Sequence, residues 1–296
     1  MATQIPDQFP IQFDTSFMSE YQQKGSRLAA LAGVVKPGKG EFIRFNKILK
    51  RTAHEITERG GDTIYANDSF ENRILFPRAA EDAVLRPEFD MASLEDIVLP
   101  NSQEVQEMAQ AIGRIEDSFV ISALTGSTYE GTTSPSVVNY DSNQAIAVNF
   151  GGSSVGLTYQ KVSQAKYMFE KNEVDDGSLY LLVSAKQMQD LRNDIIANHA
   201  DDYSSYTAAQ AGDLKSLFGF QFVRTELLAL NSSTDVRTCI AFSSKALAKA
   251  TWNDRKTDMD YLPEKRHSLA IRTRFRTGYA RIWDEGVITI ACDESP

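Results

Sequence analysis

The side chains best suited to metal binding or nucleophilic catalysis are few and widely separated in this chain. The three histidines, His54, His199 and His267, lie in three different segments, and the two cysteines, Cys239 and Cys292, are far apart. A protein zinc site needs several such ligands, usually at short and regular spacings. Both cysteines lie in apolar, strand-like runs, which favours buried inert thiols over a catalytic nucleophile. We therefore expect no metal site, no cofactor and no catalytic centre.

Two further motifs also fail to indicate a binding or catalytic site. The segment 151–156 resembles a phosphate-binding loop in its glycines, but it lacks the Gly-Lys-Ser/Thr ending that places a lysine on phosphate. The carboxylates of Asp201, Asp202, Asp258 and Asp260 are not paired on one element, so solvated loop charge is the favoured interpretation. The sequence thus indicates a protein that is not an enzyme.

Composition narrows the class further. The chain has 296 residues, 42% of them hydrophobic, which is enough for one or two domains with a normal core. Its formal net charge of −9 argues against a free-standing nucleic-acid binder, although it does not exclude a container whose lining must not adhere to DNA. No apolar run reaches the roughly 18–20 residues of a membrane span, and the N-terminus does not resemble a signal peptide. We expect synthesis in the cytoplasm and no contact with a membrane.

The most informative segment is the stretch 36–90, which is charged and poor in apolar residues. It reads as an extended two-stranded ribbon with a turn signal at Gly60-Gly61-Asp62. Because an isolated two-stranded ribbon is marginal in water, an ordered one needs support, and a neighbouring subunit is the favoured source. A solvated loop is the alternative.

The charges of this ribbon are divided by sign. Residues 36–59 carry seven basic and three acidic side chains, whereas 61–96 carry three basic and nine acidic ones. Complementary charges fix register and partner choice between subunits. The ribbon residues that we predict to contact a neighbouring subunit are Arg44, Lys47, Lys50, Arg51, Arg59 and Asp62.

The clearest regular element is a helix over 101–125. Its apolar residues recur at alternating spacings of three and four and so form one stripe, comprising Val105, Met108, Ile112, Ile115 and Phe119. At 1.5 Å per residue this helix is about 35 Å long, which is typical of a spine rather than a connector.

Around this helix the sequence predicts simpler parts. A short helix is expected over about 16–31, and a loop with one short strand over 127–156. The stretch 157–255 alternates helix and strand, with a last short helix near 245–249. The chain returns to strands over 267–291.

Three arginines alternate with apolar residues in the first of these C-terminal strands. Arg272, Arg274 and Arg276 lie on one face of it by the period of two. One interpretation is contact with an acidic neighbouring subunit, or less favourably with nucleic acid. The other is the exposed face of a half-buried strand, on which arginine stems cover apolar surface.

The order of these parts resembles the tailed-bacteriophage major capsid proteins of the Hong Kong 97 type. Local stretches are similar as well, namely Gln22-Gln-Lys-Gly-Ser-Arg-Leu28, Leu157-Thr158 with the helix through Lys166, Val183-Ser-Ala-Lys-Gln187, Phe218-Gly-Phe220 with Phe222 and Arg224, and Ile288-Thr-Ile-Ala-Cys-Asp-Glu294. None of these is a catalytic motif, so the resemblance rests on their number and order.

The resemblance implies an α+β fold with five parts. These are an N-terminal arm (1–35), an extended loop or E-loop (36–90), a P-domain with the spine helix and following loop (91–156), an A-domain (157–255), and a return to P-domain strands (256–296).

It also implies a function. The chain would self-assemble as pentamers and hexamers into an icosahedral capsid that encloses double-stranded DNA, built in the host bacterial cytoplasm and retained in the virion. Scaffolding, portal and decoration proteins are further candidate partners. Two alternatives stay open, an encapsulin-like cellular nanocompartment shell on the same fold and a cytosolic α/β enzyme with an unrecognised site.

Overall fold

The computed structural model describes residues 22–55, 59, 62, 65, 69–86, 103–131, 135–152, 154–174, 177–198, 203–212 and 214–295. The helices of this part are α1 (Gln103–Thr125), α2 (Tyr159–Lys171), α3 (Ala185–Asn198) and α4 (Tyr203–Gln210). Its strands are β1 (Val34–Pro37), β2 (Ile43–Ile48), β3 (Phe70–Leu75), β4 (Arg78–Arg86), β5 (Thr128–Glu130), β6 (Ser136–Val138), β7 (Ala145–Ile146), β8 (Leu179–Val183), β9 (Ser216–Leu217), β10 (Phe220–Arg224), β11 (Leu230–Asn231), β12 (Val236–Ser243), β13 (Leu247–Leu262), β14 (Ser268–Arg281) and β15 (Val287–Asp293).

The strands form three sheets. The first has the order β1-β13-β14-β4, and the second has the order β7-β15-β12-β8-β10-β9 with β11 paired to β12. The third has the order β2-β3-β5-β6. Most pairs are antiparallel, and the helices pack on the sheets rather than alternating regularly with parallel strands, so the class is α+β, as predicted.

Helix α1 confirms the predicted spine, but its buried stripe differs from the predicted one. Met108 and Ile112 are buried, and the ring of Phe119 lies 6.1 Å from that of Phe275 in β14. Ile115, in contrast, is 36% exposed, whereas Asp117 is fully buried. The cause is that the helix packs on two sides, against the first sheet and against the segment that precedes β1, so the buried surface turns away from Ile115.

The predicted ribbon is shorter and better supported than expected. Among the described residues of 36–90, only β2 and β3 pair with each other. Strands β1 and β4, which flank them in sequence, belong to the first sheet. Phe45 and Leu75 are buried in one cluster with residues of β13 and with Ile282, and Ile74 pairs with Tyr129 of β5. The base of the ribbon has support from outside the ribbon, as expected, but the same chain supplies it rather than the favoured neighbouring subunit.

The second sheet carries the largest core cluster. Thr158 caps α2 as predicted, with its Oγ1 accepting a hydrogen bond from the Lys161 amide. Strand β15 lies inside this sheet, between β7 and β12, and pairs with β12 over seven residue pairs. The layout implied by the resemblance groups 256–296 with the P-domain strands, whereas β15 pairs within the second sheet. Its apolar run, buried on both faces, is typical of a central strand.

Two predicted short helices are not found as such. Of the helix expected over 16–31, residues 16–21 lie outside the described part, 22–28 are irregular, and only a 3₁₀ turn forms at Ala29–Leu31. The amides of Arg27 and Leu28 are bound by a side chain of α1 instead of by helical carbonyls. The helix expected near 245–249 is a 3₁₀ turn at Ser244–Ala246, after which β13 begins.

Candidate assembly interface

Within the described residues, no group of His, Cys, Asp and Glu side chains is placed to hold a metal ion. Cys239 and Cys292 are buried free thiols. A hydrogen bond with Cys292, together with burial, raises the pKa of Cys239 well above its ordinary value, so its thiol stays protonated and unreactive. None of the described helices combines the length and apolar character that a membrane span requires.

The base of the ribbon is fixed by a buried ionic network. Arg73 of β3 donates from Nη1 to Glu130 at 2.5 Å and from Nη2 to Asp284 at 2.7 Å, and Arg281 donates from Nε to Asp284 at 2.6 Å. Burial would raise the pKa of Asp284, but hydrogen bonds and charge from Arg281 and Arg73 outweigh it and lower that pKa. The network joins the ribbon, the β5–β6 hairpin and the end of β14. No sequence pattern indicates this network, because Arg73 lies 57 residues from Glu130 and 211 residues from Asp284 along the chain.

The predicted interface lysines of the ribbon have different environments. Lys47 is only 5% exposed, with its Nζ 3.1 Å from Glu71 and 4.8 Å from the Trp283 ring centroid. Its charge partner is therefore in its own chain. Lys50 lies where β2 ends and is 83% exposed, with its Nζ 2.5 Å from a carboxylate oxygen of Glu173. This pair is exposed on both sides, so it contributes little to stability and leaves Lys50 accessible.

The other ribbon candidates lie at its surface. The guanidinium of Arg44 is half-buried, 5.3 Å from the ring centroid of Phe42. Arg51, Arg59 and Asp62 are exposed in the segment beyond β2. The structure thus places the predicted charges along one excursion, with the exposed ones toward its distal end.

An exposed apolar pair marks the point where the ribbon leaves the body. Ile48 and Phe70 are directly opposite each other on β2 and β3, and they are 61% and 64% exposed. Tyr65, farther out, is 89% exposed. Exposed apolar groups that cluster on an excursion indicate a contact with another molecule.

The three arginines of β14 lie on one face, as the period of two predicted. Arg272 is half-buried, and Arg274 and Arg276 are exposed. Arg274 donates to Asp258 of β13 at 3.0 Å, and Arg272 lies 3.5 Å from Asp260. The acidic partners of these two arginines are in the same chain. The stripe belongs to the first sheet and the ribbon to the third, so the two groups of candidates form separate surfaces.

Sequence reasoning missed the buried acidic residue that holds the segment before β1. Asp117 lies outside the predicted apolar stripe of α1, yet it is fully buried. Its Oδ1 accepts from Ser26 Oγ at 2.5 Å and from the Leu28 amide at 3.0 Å, and its Oδ2 accepts from the Arg27 amide at 3.0 Å. Gln23 donates to the same carboxylate. No sequence signal indicated this site, because Asp117 lies outside the predicted apolar stripe and its partners are about ninety residues earlier in the chain.

The neighbouring residue Glu116 attaches the opposite side of α1 to the first sheet. Its carboxylate accepts from Tyr279 at 2.6 Å, from Lys249 at 3.1 Å and from Arg255 at 2.7 Å, so it connects α1 to β13 and β14. Burial would raise the pKa of Glu116, but the hydrogen bonds from these three side chains outweigh it and lower the pKa. Two adjacent carboxylates therefore attach the helix to two different parts of the chain.

This contact predicts a pH dependence. Because the folded-state pKa of Glu116 is below its ordinary value of 4.5, its contribution to stability is complete above about pH 4.5 and is lost as the pH falls through the folded-state pKa. We expect Glu116→Gln to lower Tm at pH 6 and to flatten the fall of Tm between pH 5 and 3. The exposed Glu264→Gln is the control, and parallel curves for wild type and Glu116→Gln would contradict the assignment.

Comparison with known proteins identifies the family to which this chain belongs. The family model "Phage capsid protein" matches residues 5–294. Among solved structures, the capsid of Helicobacter pylori bacteriophage KHP30 has a TM-score of 0.73 at 10% identity, covering 97% of this chain and 96% of that one. The capsid of cyanophage Pam1 has a TM-score of 0.72 at 11% identity, covering 99% and 98%. The structure from Mycobacterium phage Che8 has a TM-score of 0.70 at 17% identity, covering 97% and 98%.

A search of the curated proteins finds no match. At 10–17% sequence identity, the solved structures are evidence for the fold alone, and they confirm the predicted Hong Kong 97 type. The evidence for the function is the family match. It spans nearly the whole chain, including both the ribbon and the β14 arginines. The chain belongs to the phage capsid protein family and is a structural protein of a bacteriophage capsid shell.

Proposed function

We propose that copies of this chain assemble as pentamers and hexamers into an icosahedral shell that encloses double-stranded DNA. The observation that carries this proposal is the ribbon, which leaves the body with an exposed apolar pair, Ile48 and Phe70, and exposed basic residues beyond it. In an isolated monomer the exposed apolar side chains of the ribbon would bury no surface. In a shell, the ribbon of one subunit can pack against a neighbouring subunit. Assembly takes place in the host bacterial cytoplasm, and the role is structural rather than enzymatic.

The overall charge supports enclosure of DNA without specific binding. With a net charge of −9, the chain has no long-range attraction for phosphate. A lining of this kind lets packaged DNA slide, which a strongly basic wall would prevent. Scaffolding, portal and decoration proteins are proposed as further partners, and no membrane is involved.

The proposed contacts between subunits use two surfaces. The first is the ribbon, with half-exposed Arg44 on β2 and the exposed residues Lys50, Arg51, Arg59 and Asp62 beyond β2, while Lys47 stabilises its base. The second is the exposed face of β14, with Arg272, Arg274 and Arg276. Because Asp258 and Asp260 already neutralise part of this face, it suits a neighbour of mixed charge better than DNA.

The proposed layout follows the five predicted parts with one change. The N-terminal arm (1–35), the E-loop (36–90), the P-domain (91–156) and the A-domain (157–255) keep their bounds. Of 256–296, β14 continues the P-domain, whereas β15 is assigned to the A-domain because it pairs with β12.

Expression of the chain alone, followed by size exclusion and negative-stain electron microscopy, tests the proposal. We expect closed shells or rings with five- or six-fold symmetry. Nuclease-treated particles from infected cells should retain double-stranded DNA. A chain that stays monomeric alone and also with the other structural proteins of a phage lysate would overturn the proposal.

A further inference from the structure

Strand β7 and helix α2 form the two walls of an open groove. Among the described residues, β7 pairs only with β15, so its outer edge is unpaired. Helix α2 lines the groove with Gln164, Tyr167, Met168 and Lys171, whose spacing places them on one stripe. The volume between the walls is about 460 Å³. A groove between a strand edge and a helix is suited to an extended peptide, which adds to the edge as a further strand.

The strand wall is open to the approach of a peptide backbone. Ala145 of β7 and Ala147 just after it line this wall, and both are exposed. Their small side chains leave space above the edge of the strand. The stretch 145–147 also has no lysine and no proline, two residue types that commonly block the addition of a strand. This wall therefore offers main-chain hydrogen bonds and room for the side chains of a ligand.

The helix wall offers apolar surface and an amide. Tyr167 is 55% exposed, and Met168 beside it is half-buried against the largest core cluster. An aromatic ring and a flexible thioether can contact apolar side chains of different shapes. Gln164 lies one turn earlier, and its side chain makes no hydrogen bond within the described residues. Because a side-chain amide both donates and accepts, it is suited to binding a peptide backbone.

One end of the groove is closed and carries a positive charge. Asn172 Nδ2 donates to Gln144 Oε1 at 3.2 Å, which joins the end of α2 to the turn before β7. Of the described residues that line the groove, only Lys171 at this end is charged. The groove is thus neutral to positive in a chain whose formal net charge is −9.

The charge of Lys171 is not neutralised by its neighbours on the helix. Glu170 lies 3.6 Å from Lys166, and Glu173 lies 2.5 Å from Lys50, so both nearby carboxylates have partners. Lys171 itself makes no ion pair within the described residues. A cation of this kind beside neutral walls favours a ligand with a carboxylate, and such complementarity selects partners more than it adds affinity.

The charge of the chain itself argues against a second copy as the occupant. The described stretch 50–55 is exposed and outside regular structure, so it is the part of a copy best able to enter a groove. It carries Lys50, Arg51 and His54 against Glu55, which makes it basic. Lys171 would repel it. An acidic segment from a different protein fits the groove better.

We propose that this groove binds an extended acidic segment of a different protein of the same phage. The segment adds to the outer edge of β7, with apolar side chains against Tyr167 and Met168 and a carboxylate at Lys171. This inference rests on the proposed shell function, since other proteins of the phage meet this chain during shell assembly. The groove is separate from the ribbon and from the β14 arginines, because none of those residues lines it.

Photo-cross-linking identifies what occupies the groove. In chains produced in infected cells, p-benzoylphenylalanine replaces Tyr167 or, as the control, Ile196 of α3, which is 39% exposed and outside the groove. We expect illumination to join position 167, but not position 196, to an acidic segment of a different phage protein, located by mass spectrometry. Lys171→Glu should reduce this cross-link about tenfold, whereas Lys265→Glu, in the exposed turn after β13, should leave it unchanged.

Peptide binding measures the same contact without shell assembly. Short overlapping peptides that cover the other proteins of the phage are added to the full chain, and binding is followed by fluorescence anisotropy. We expect the bound peptides to be acidic and to include the cross-linked segment. Gln164→Trp fills the groove, whereas Ser163→Trp places the same side chain at an exposed position outside it. Affinity should fall about tenfold in Gln164→Trp and Lys171→Glu, and remain unchanged in Ser163→Trp and Lys265→Glu at equal Tm.

The outcomes separate this inference from the proposed function. Cross-links from position 167 only to copies of this chain would make the groove an interface between copies and overturn the inference, as would no cross-link above the control. Bound peptides that are not acidic, or an affinity that Lys171→Glu leaves unchanged, would overturn the role of charge. All of these results leave the shell function intact. Failure of the wild type to form shells would count against the proposed function, whereas peptide binding to the full chain would still decide the inference.

Discussion

Replacement of Asp117 by leucine is expected to lower the free energy of unfolding by about 3–5 kcal/mol, because several buried donors lose their acceptor at once. The carboxylate accepts hydrogen bonds from the amides of Arg27 and Leu28 and from the Ser26 hydroxyl. Leucine fills a similar volume but accepts none of them. The segment 22–28 should then detach from α1 and expose Leu28, which is fully buried in the wild type.

Two measurements check this result. Thermal unfolding should show a markedly lower Tm for Asp117→Leu, and limited trypsin digestion should cleave after Lys24 and Arg27 faster than in the wild type. Ser118→Ala, at the neighbouring exposed position, is the matched control, since its hydroxyl bonds only to the carbonyl of Ile115. A Tm for Asp117→Leu equal to that of the control would show that the carboxylate is not essential for holding this segment.

Removal of the distal ribbon is expected to abolish closed shells and leave the fold intact. Among the described residues, the most distal backbone hydrogen bond between the two arms of the ribbon joins the Leu49 amide to the Ser69 carbonyl at 3.1 Å. Residues 50–68 can therefore be replaced by Asn-Gly, which closes a two-residue hairpin on β2 and β3. The buried residues Phe45, Ile74 and Leu75 are retained, so Tm should change little.

A second variant separates length from chemistry. It keeps the length of 50–68 but replaces the segment with glycine and serine, which removes the charges and Tyr65. If the ribbon acts through its side chains, both variants should remain folded by circular dichroism and form no closed shells by negative-stain microscopy. Normal particles from the Asn-Gly variant would refute the role of the ribbon, and normal particles from the Gly/Ser variant alone would assign that role to length.

Local sequence patterns correctly predicted the elements that are determined by residues close together in the sequence. The spine helix, the Thr158 cap and the alternation of the β14 arginines each depend on residues within a few positions of one another, and the structure confirms them. The exposure of Ile115 was missed because the buried face of α1 depends on what packs against it. The position of β15 was missed because an apolar strand fits either sheet until its partner is known.

The features of the candidate surfaces likewise fall into those that a local pattern predicts and those that depend on residues remote in sequence. The charge of the ribbon could be read from composition, but the burial of Lys47 depends on Trp283, which is remote in sequence. The role of Asp117 depends on donors that lie about ninety residues earlier, and Arg73 reaches an acceptor 211 residues later. Contacts over such separations leave no periodic signal in one sequence.

The two adjacent carboxylates of α1 limit where a subunit can bend. A closed shell places copies of one chain in surroundings that differ in curvature, so each copy must adapt somewhere. Tilting α1 against the first sheet would break the contacts of Glu116, and tilting it against the preceding segment would break those of Asp117. The first sheet, α1 and the segment 22–28 are therefore expected to move as one rigid unit, so the variation in angle between neighbouring copies is taken up outside this unit.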